Sequence, residues 1–225
     1  MCGRFSQTAT PEIIAEQFEV KEPLPRFKAR YNVAPSQPIA AIRIDPDRAT
    51  RTLVMLRWGL IPSWAKDTKI GFQCINAKAE TVAEKPSFRS AFKKRRCLVV
   101  ATGFYEWQVQ GRTKQPLWIG LRSKRPFAFA GLWEHWKPAE EEPLETCTII
   151  TTEPNELMRP IHNRMPVILA PVSYDQWLDP TFQHIEPLKA LLRPYLSEEL
   201  TAYPVSTFVN NPRHDAPQCL EPMSV

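Results

Sequence analysis

Glycine is scarce in this 225-residue chain, at 7 residues, less than half of what average composition would supply. Neither a GxGxxG nor a GxxxxGK[ST] loop occurs, which speaks against dinucleotide and P-loop nucleotide chemistry. No C-x-x-C occurs either. The five cysteines, at 2, 74, 97, 147 and 219, are odd in number and far apart, so neither a disulfide framework nor a zinc site is expected, and in a reducing compartment all five should be free thiols. No pair of histidines stands at metal-ligand spacing with a carboxylate, so no metal is expected, and no cofactor is called for. No apolar run approaches the roughly 18 residues of a membrane span. The opening Met1-Cys2-Gly3-Arg4-Phe5-Ser6 lacks the apolar stretch of a secretion signal. A soluble cytoplasmic protein with no membrane partner is expected. No segment repeats at a fixed period, and no strand-helix-strand rhythm of about 30 residues appears, which argues against a doubly wound sheet.

What the chain does hold is 43% apolar and 24% charged residues, with 23 prolines. That suffices for a sizeable core in one domain, and the prolines punctuate a folded chain. The net charge of +5 suits a polyanionic partner and equally suits an ordinary basic surface. Thr10-Pro11 reads as an N-cap with proline at the first helical position, placing Ile13, Ile14 and Phe18 on one side of a short helix. Strands are expected at 38–44, 51–58, 96–101, 104–110, 117–121, 127–132, 147–151 and 167–170, with a hairpin turn at Gln110-Gly111-Arg112. Short helices are expected at 87–94, 155–157, 172–178 and 185–192. The whole reads as one α+β domain over residues 1–225, a mostly antiparallel, curled or barrel-like sheet with short peripheral helices. Residues 213–225 are polar and proline-broken and read as a loosely held tail.

Chemistry is suggested first by Cys2. If Met1 is removed, the chain begins with a 1,2-aminothiol, whose α-amine (pKa about 8) and thiol (about 8.5) are both partly nucleophilic near neutrality. An aldehyde would form an imine with the amine and then receive the thiolate, closing a five-membered thiazolidine. Gly3 and Arg4 add a flexible backbone and a permanent cation beside it. Glu106, in Gly103-Phe104-Tyr105-Glu106-Trp107, is a carboxylate among aromatics, where desolvation raises the pKa toward general acid-base use. His162 lies in Pro160-Ile161-His162-Asn163-Arg164-Met165-Pro166, a loop bounded by two prolines that presents an imidazole, an amide and a guanidinium. Trp64, next to Lys66 in a proline loop, suits base stacking beside a phosphate. Asn76 and Lys78 would share one side of an extended segment, the amide for a hydroxyl and the cation for a phosphate. Each has a plainer reading: an unprocessed chance cysteine, a solvent-face acid, a structural histidine, a tryptophan folded onto the core. The run Lys93-Lys94-Arg95-Arg96 reads as a solvated face or as added electrostatic attraction.

Taken together, Met1-Cys2-Gly3-Arg4-Phe5, Tyr31-Asn32-Val33-Ala34-Pro35, Trp58-Gly59-Leu60-Ile61-Pro62-Ser63-Trp64, Ile75-Asn76-Ala77-Lys78-Ala79-Glu80, Gly103-Phe104-Tyr105-Glu106-Trp107 and His162-Asn163-Arg164-Met165-Pro166 resemble the SRAP family, the SOS response-associated peptidase domain proteins. The resemblance runs from Cys2 to about Pro212 in the family's order. It implies a sensor of abasic sites in single-stranded DNA that crosslinks itself to the lesion through Cys2; one lesion needs only one subunit, so a monomer is expected, with the oligomeric state left open by the sequence. By that resemblance Glu106 would open the abasic sugar and move protons at the imine, His162 would shuttle protons in ring closure and reversal, and Asn76 would position Cys2 and the deoxyribose. Arg4, Lys78 and Arg164 would hold flanking phosphates, Trp64 would stack on or wedge against a base, and Thr151 would approach the lesion. Family members commonly carry arginine where this chain has Lys78, so a bidentate clamp becomes a point charge. Met1 would be removed by an aminopeptidase or by the protein itself, and an imine, which acidifies the adjacent carbon and permits β-elimination, allows a weak strand-cleaving lyase activity. Two other readings stand beside this one: a thiol peptidase or amidohydrolase using Cys2 with His162 as base, and a non-catalytic single-strand binder.

Overall fold

Alternating apolar patterning becomes pleated strand along most of the chain. The computed structural model describes residues 2–45, 47–137 and 142–223. In order they form β1 (Phe5–Gln7), α1 (Pro11–Phe18), β2 (Arg30–Val33), β3 (Pro38–Ile44), β4 (Arg51–Trp58), β5 (Asn76–Lys78), α2 (Arg89–Lys94), β6 (Arg96–Ala101), β7 (Gly103–Gln110), β8 (Thr113–Leu121), β9 (Phe127–Trp136), β10 (Leu144–Thr152), β11 (Met165–Pro166), β12 (Ile168–Leu169), α3 (Tyr174–Leu178), α4 (Ile185–Ala190) and β13 (Leu200–Pro204), joined by turns and short 3₁₀ segments. The α+β expectation holds.

Strands β10, β4, β3, β6 and β9 follow one another in a sheet, and β9 pairs back onto β10, closing a five-strand barrel. A second sheet runs β13-β8-β7-β1-β2. Pairing is antiparallel except where β10 lies parallel to β4 and β5. The barrel strands are buried on both faces and feed two cores. Ala40, Ile42, Leu98, Val100, Ala128 and Ala130 pack beneath the helices with Ile14, Phe18, Phe92 and Trp177. Their alternates Ile39, Ala41, Cys97, Val99 and Phe129 pack with Phe5, Val33, Phe104 and Ile119 of the second sheet. Burial on both faces explains why β6 is an unbroken apolar run. Phe5 meets Trp58 and Phe129 edge-on at 5.2 and 5.9 Å, contacts worth about 0.5–1.5 kcal/mol each beyond their area. They fix the start of the chain.

The expected helix begins as anticipated, with the Thr10 side chain accepting from the Ile13 N–H. Ile14 and Phe18, four apart, are buried, but Ile13 is turned one position off that face and is exposed. At 155–157 the structure has turns instead of the expected helix: the Asn155 side chain accepts from the Met158 N–H (2.9 Å), and its amide donates to Tyr195 O (2.8 Å). The hairpin turn is formed, with Gln110 opposite Thr113 and Gly111 at φ 60°. Residues 213–223 do not hang loosely. Asp215 accepts from the Tyr31 and Asn32 N–H groups (2.5 and 3.0 Å) and pairs with Arg30, Cys219 is buried, and Met223 N–H donates to Pro204 O (2.9 Å).

Candidate active site

The start of the chain reaches the site by sheet pairing. β1 lies antiparallel to β7 with Phe5 opposite Phe104 and Ser6 opposite Gly103. Tyr105 N–H donates to Arg4 O at 3.0 Å, carrying the ladder past the strand and setting Cys2 and Gly3 alongside Glu106. Cys2 is fully buried. Burial pushes its thiol pKa far up, the Glu106 charge adds to the rise, and the Arg4 backbone N–H works the other way. All five cysteines are free and buried. Met1, whose removal is expected, lies outside the described residues.

Glu106 is 3% exposed, and burial pushes its carboxyl up to about 7. Across from it stands His162, Nε2 to Oε2 3.9 Å. The His162 Nδ1 lies 3.0 Å from Arg164 N and 3.3 Å from Arg164 O, so it accepts from that N–H when the ring proton is on Nε2 and donates to that carbonyl when the proton is on Nδ1. Burial lowers the imidazole pKa, which favours the neutral ring. The loop is held by Met158 O, which accepts from the Ile161 and His162 N–H groups at 2.8 Å each, and by Gln108 Nε2, which donates to Pro160 O at 3.0 Å. Glu106 and His162 therefore meet because β7 and the 160–166 loop are tied together one residue pair away.

β5 gives Asn76 and Lys78 one face, as alternation in an extended segment requires. Asn76 Nδ2 donates to Ile75 O (3.0 Å), whereas its Oδ1 is buried with no partner among the described residues. Lys78 is exposed and lies opposite Thr151. Thr151 is buried in β10, its hydroxyl within 3.5 Å of Ala77 O. Arg164 grips Glu80 with both terminal nitrogens (2.5 and 3.0 Å) and donates to Thr151 O (2.6 Å). That bond holds the Glu80 carboxyl below its usual range. Arg164 thus has an acidic partner that a phosphate would have to displace.

Arg4 is half-buried. Its Nη1 donates to Asn32 Oδ1 (2.8 Å) and Val209 O (3.0 Å), and its guanidinium lies 5.8 Å from the centre of the Trp107 ring. Trp64 is 59% exposed on a turn closed by Ala65 N–H to Pro62 O (2.9 Å). At the base of that loop Gly59, at φ 124°, touches the Gly71 backbone so closely that a Cβ on Gly59 would lie 2.7 Å from Gly71 O. The same loop displays Phe72, 62% exposed. Phe72, Asn32, Glu80 and Trp107 were not singled out from the sequence. The spacing of Asn76, Lys78 and Glu80 was the available signal for Glu80. Among the described residues, no group of three or more His, Cys, Asp or Glu side chains could hold a metal ion, and no helix is long and apolar enough to cross a membrane.

The arrangement is a buried cysteine beside an acid of near-neutral pKa, with an imidazole facing that acid. Comparison with known proteins gives the same region a context. The SOS response associated peptidase (SRAP) family model matches residues 1–212. The abasic site processing protein YoqW of Bacillus subtilis (strain 168) is 49% identical over 224 residues, covering 98% of this chain and 99% of its own. The abasic site processing protein HMCES of Gallus gallus is 36% identical, covering 89% of this chain and 68% of its own. A crystal structure of a Bacteroides thetaiotaomicron protein has a TM-score of 0.89 at 29% identity, covering 99% of this chain and 100% of that one.

Proposed function

This chain belongs to the SOS response associated peptidase family, and on that premise we propose that it captures abasic sites in single-stranded DNA as a covalent thiazolidine at Cys2. Removal of Met1 exposes the Cys2 amine. Glu106, titrating near 7, passes the C1′ hydroxyl proton to the ring oxygen as the abasic sugar opens to its aldehyde. The amine adds to C1′, and its two protons are relayed by Glu106 to the former carbonyl oxygen, so that one water leaves and an imine remains. The Cys2 sulfur then bonds C1′, its proton passing to the nitrogen with His162 as shuttle. The ring that closes contains C1′, N, Cα, Cβ and S, and the sum of the partners is reduced by one water. No oxidant or cofactor is consumed.

The observation that carries the reading is the ladder from β1 to β7 that brings the first residues beside a buried acid of near-neutral pKa. Asn76, with a buried unpaired oxygen, would orient the Cys2 amine or a sugar hydroxyl. Arg4, Lys78 and Arg164 would meet flanking phosphates, Lys78 as a point charge, with Thr151 bracing Arg164 and Trp64 stacking on a base. One chain supplies every group, so a monomer suffices, and the setting is intracellular, where DNA lies. The imine also permits slow β-elimination, a weak lyase activity that ring closure suppresses, and removal of Met1 by the protein itself is part of the proposal. A thiol hydrolase would need His162 to deprotonate Cys2, yet the ring turns Nε2 toward Glu106.

Cys2→Ala keeps an α-amine and loses the thiol. On an abasic oligonucleotide it should give an adduct only when borohydride traps the imine, whereas the unmodified protein gives one that survives denaturation alone. A denaturation-resistant adduct in untreated Cys2→Ala would remove the thiol from the account.

A further inference from the structure

Asn32 is fully buried and joins Arg4 to the C-terminal segment. Its Oδ1 accepts from Arg4 Nη1 (2.8 Å), and its Nδ2 donates toward three carbonyls, Val209 (3.1 Å), Asn211 (3.1 Å) and His214 (2.7 Å). A guanidinium can only donate and carbonyls can only accept, so the amide has one possible orientation. The backbone around it is held by Asp215, which accepts from both Tyr31 and Asn32 N–H (2.5 and 3.0 Å) and pairs with Arg30. Asp215 lies beyond residue 212, where the family match ends.

The consequence falls on Arg4. Both hydrogens of Nη1 are committed, to Asn32 and to Val209 O, and the ring of Trp107 lies beneath the guanidinium. Trp107 is itself fastened by Nε1 to Asn210 Oδ1 (2.7 Å). Nη2 has no acceptor among the described residues and is the terminal nitrogen left for a ligand. A long side chain frozen in this way loses less freedom when it binds a phosphate.

We propose that Asn32, locked by Asp215 and the 209–214 carbonyls, is the positioning residue that presents Arg4 to a phosphate of the DNA strand. This rests on the phosphate role given to Arg4 above. Nothing in the crosslinking chemistry requires it: Asn32 acts on affinity through Arg4 and leaves the reacting groups alone.

The test uses a single-stranded oligonucleotide carrying a tetrahydrofuran abasic analogue, which has no aldehyde, so that binding is read without capture. Affinity is measured by fluorescence anisotropy over a salt series for the full-length protein, Arg4→Ala, Asn32→Ala and the double variant. Losing one phosphate contact should lower the slope of log K against log salt by about 0.7. Asn32→Ala should reproduce that drop, weaken binding about fivefold, and add nothing in the Arg4→Ala background. If Asn32→Ala does not fold, Asp215→Ala, at a part-exposed site, should weaken binding about two- to threefold, and only when Arg4 is present. An unchanged slope, or equal weakening with and without Arg4, overturns the positioning role while leaving the covalent reading intact. If Arg4→Ala itself binds with full affinity and slope, the phosphate role of Arg4 falls, and this inference with it.

Discussion

The carboxyl of Glu106 is moved from an ordinary 4.5 to about 7 by burial, and that shift has consequences for chemistry and for stability. At neutral pH both protonation states are populated, so in the proposed capture one residue can relay protons both in sugar opening and in water loss. The folded chain holds this proton more tightly than the unfolded chain. Its stabilising effect is therefore complete below pH 4.5 and is lost as pH rises through 7, amounting to about 3 kcal/mol by linkage. Glu106→Gln should slow adduct formation by about 10²–10⁴-fold, the range for a lost acid-base group. It should also flatten the fall in stability between pH 4.5 and 8, read by urea unfolding at each pH. A wild-type capture rate in that variant would assign the proton transfers elsewhere.

At the scale of elements, the loop from Gly59 to Ile75 depends on two backbones in contact. Gly59→Ala would force a Cβ to 2.7 Å from Gly71 O at φ 124°, so a loss of about 1–3 kcal/mol is expected. Displacement of Trp64 should weaken single-strand binding in the same variant, and unchanged stability and binding would show that the contact is dispensable. The bounds of β3, β4 and β6 were legible from the sequence because their apolar patterning is complete over six to eight residues. β1, with three residues, and β2, which contains Arg30 and Asn32, carry too little pattern to be read. β13 ends in Pro204 and lies at a sheet edge, where proline is tolerated. The pairing partners were not legible either. That β10 runs parallel to β4 and β5 depends on barrel closure, a property of no single segment.

For the whole molecule, the C-terminal segment completes the second sheet's surroundings and braces the site. Truncation after Pro212 would remove Asp215 from Arg30, Tyr31 and Asn32, buried Cys219, and the Val205–Pro222 bridge. A stability loss of about 3–5 kcal/mol is expected in urea unfolding, and an unaltered midpoint would contradict the bracing by Asp215 and Cys219. Cys2, Glu106 and His162 were legible in the sequence as candidates because each stands in a motif with its own chemistry, and the fold sets Cys2 and His162 beside Glu106. Asn32 could not, since its role arises from partners as many as 182 positions away. Nor could the Glu80–Arg164 pair, which forms only when β5 and the 160–166 loop flank β10.

The central claim is that the amine and thiol of Cys2 together close a ring on the aldehyde of an abasic site. Intact mass after denaturation tests it most directly, on protein with Met1 absent, incubated with a single-stranded abasic oligonucleotide. The account predicts a species equal to the sum of the partners less one water, stable without borohydride and missing in Cys2→Ser. Processed protein that yields no such species would contradict it.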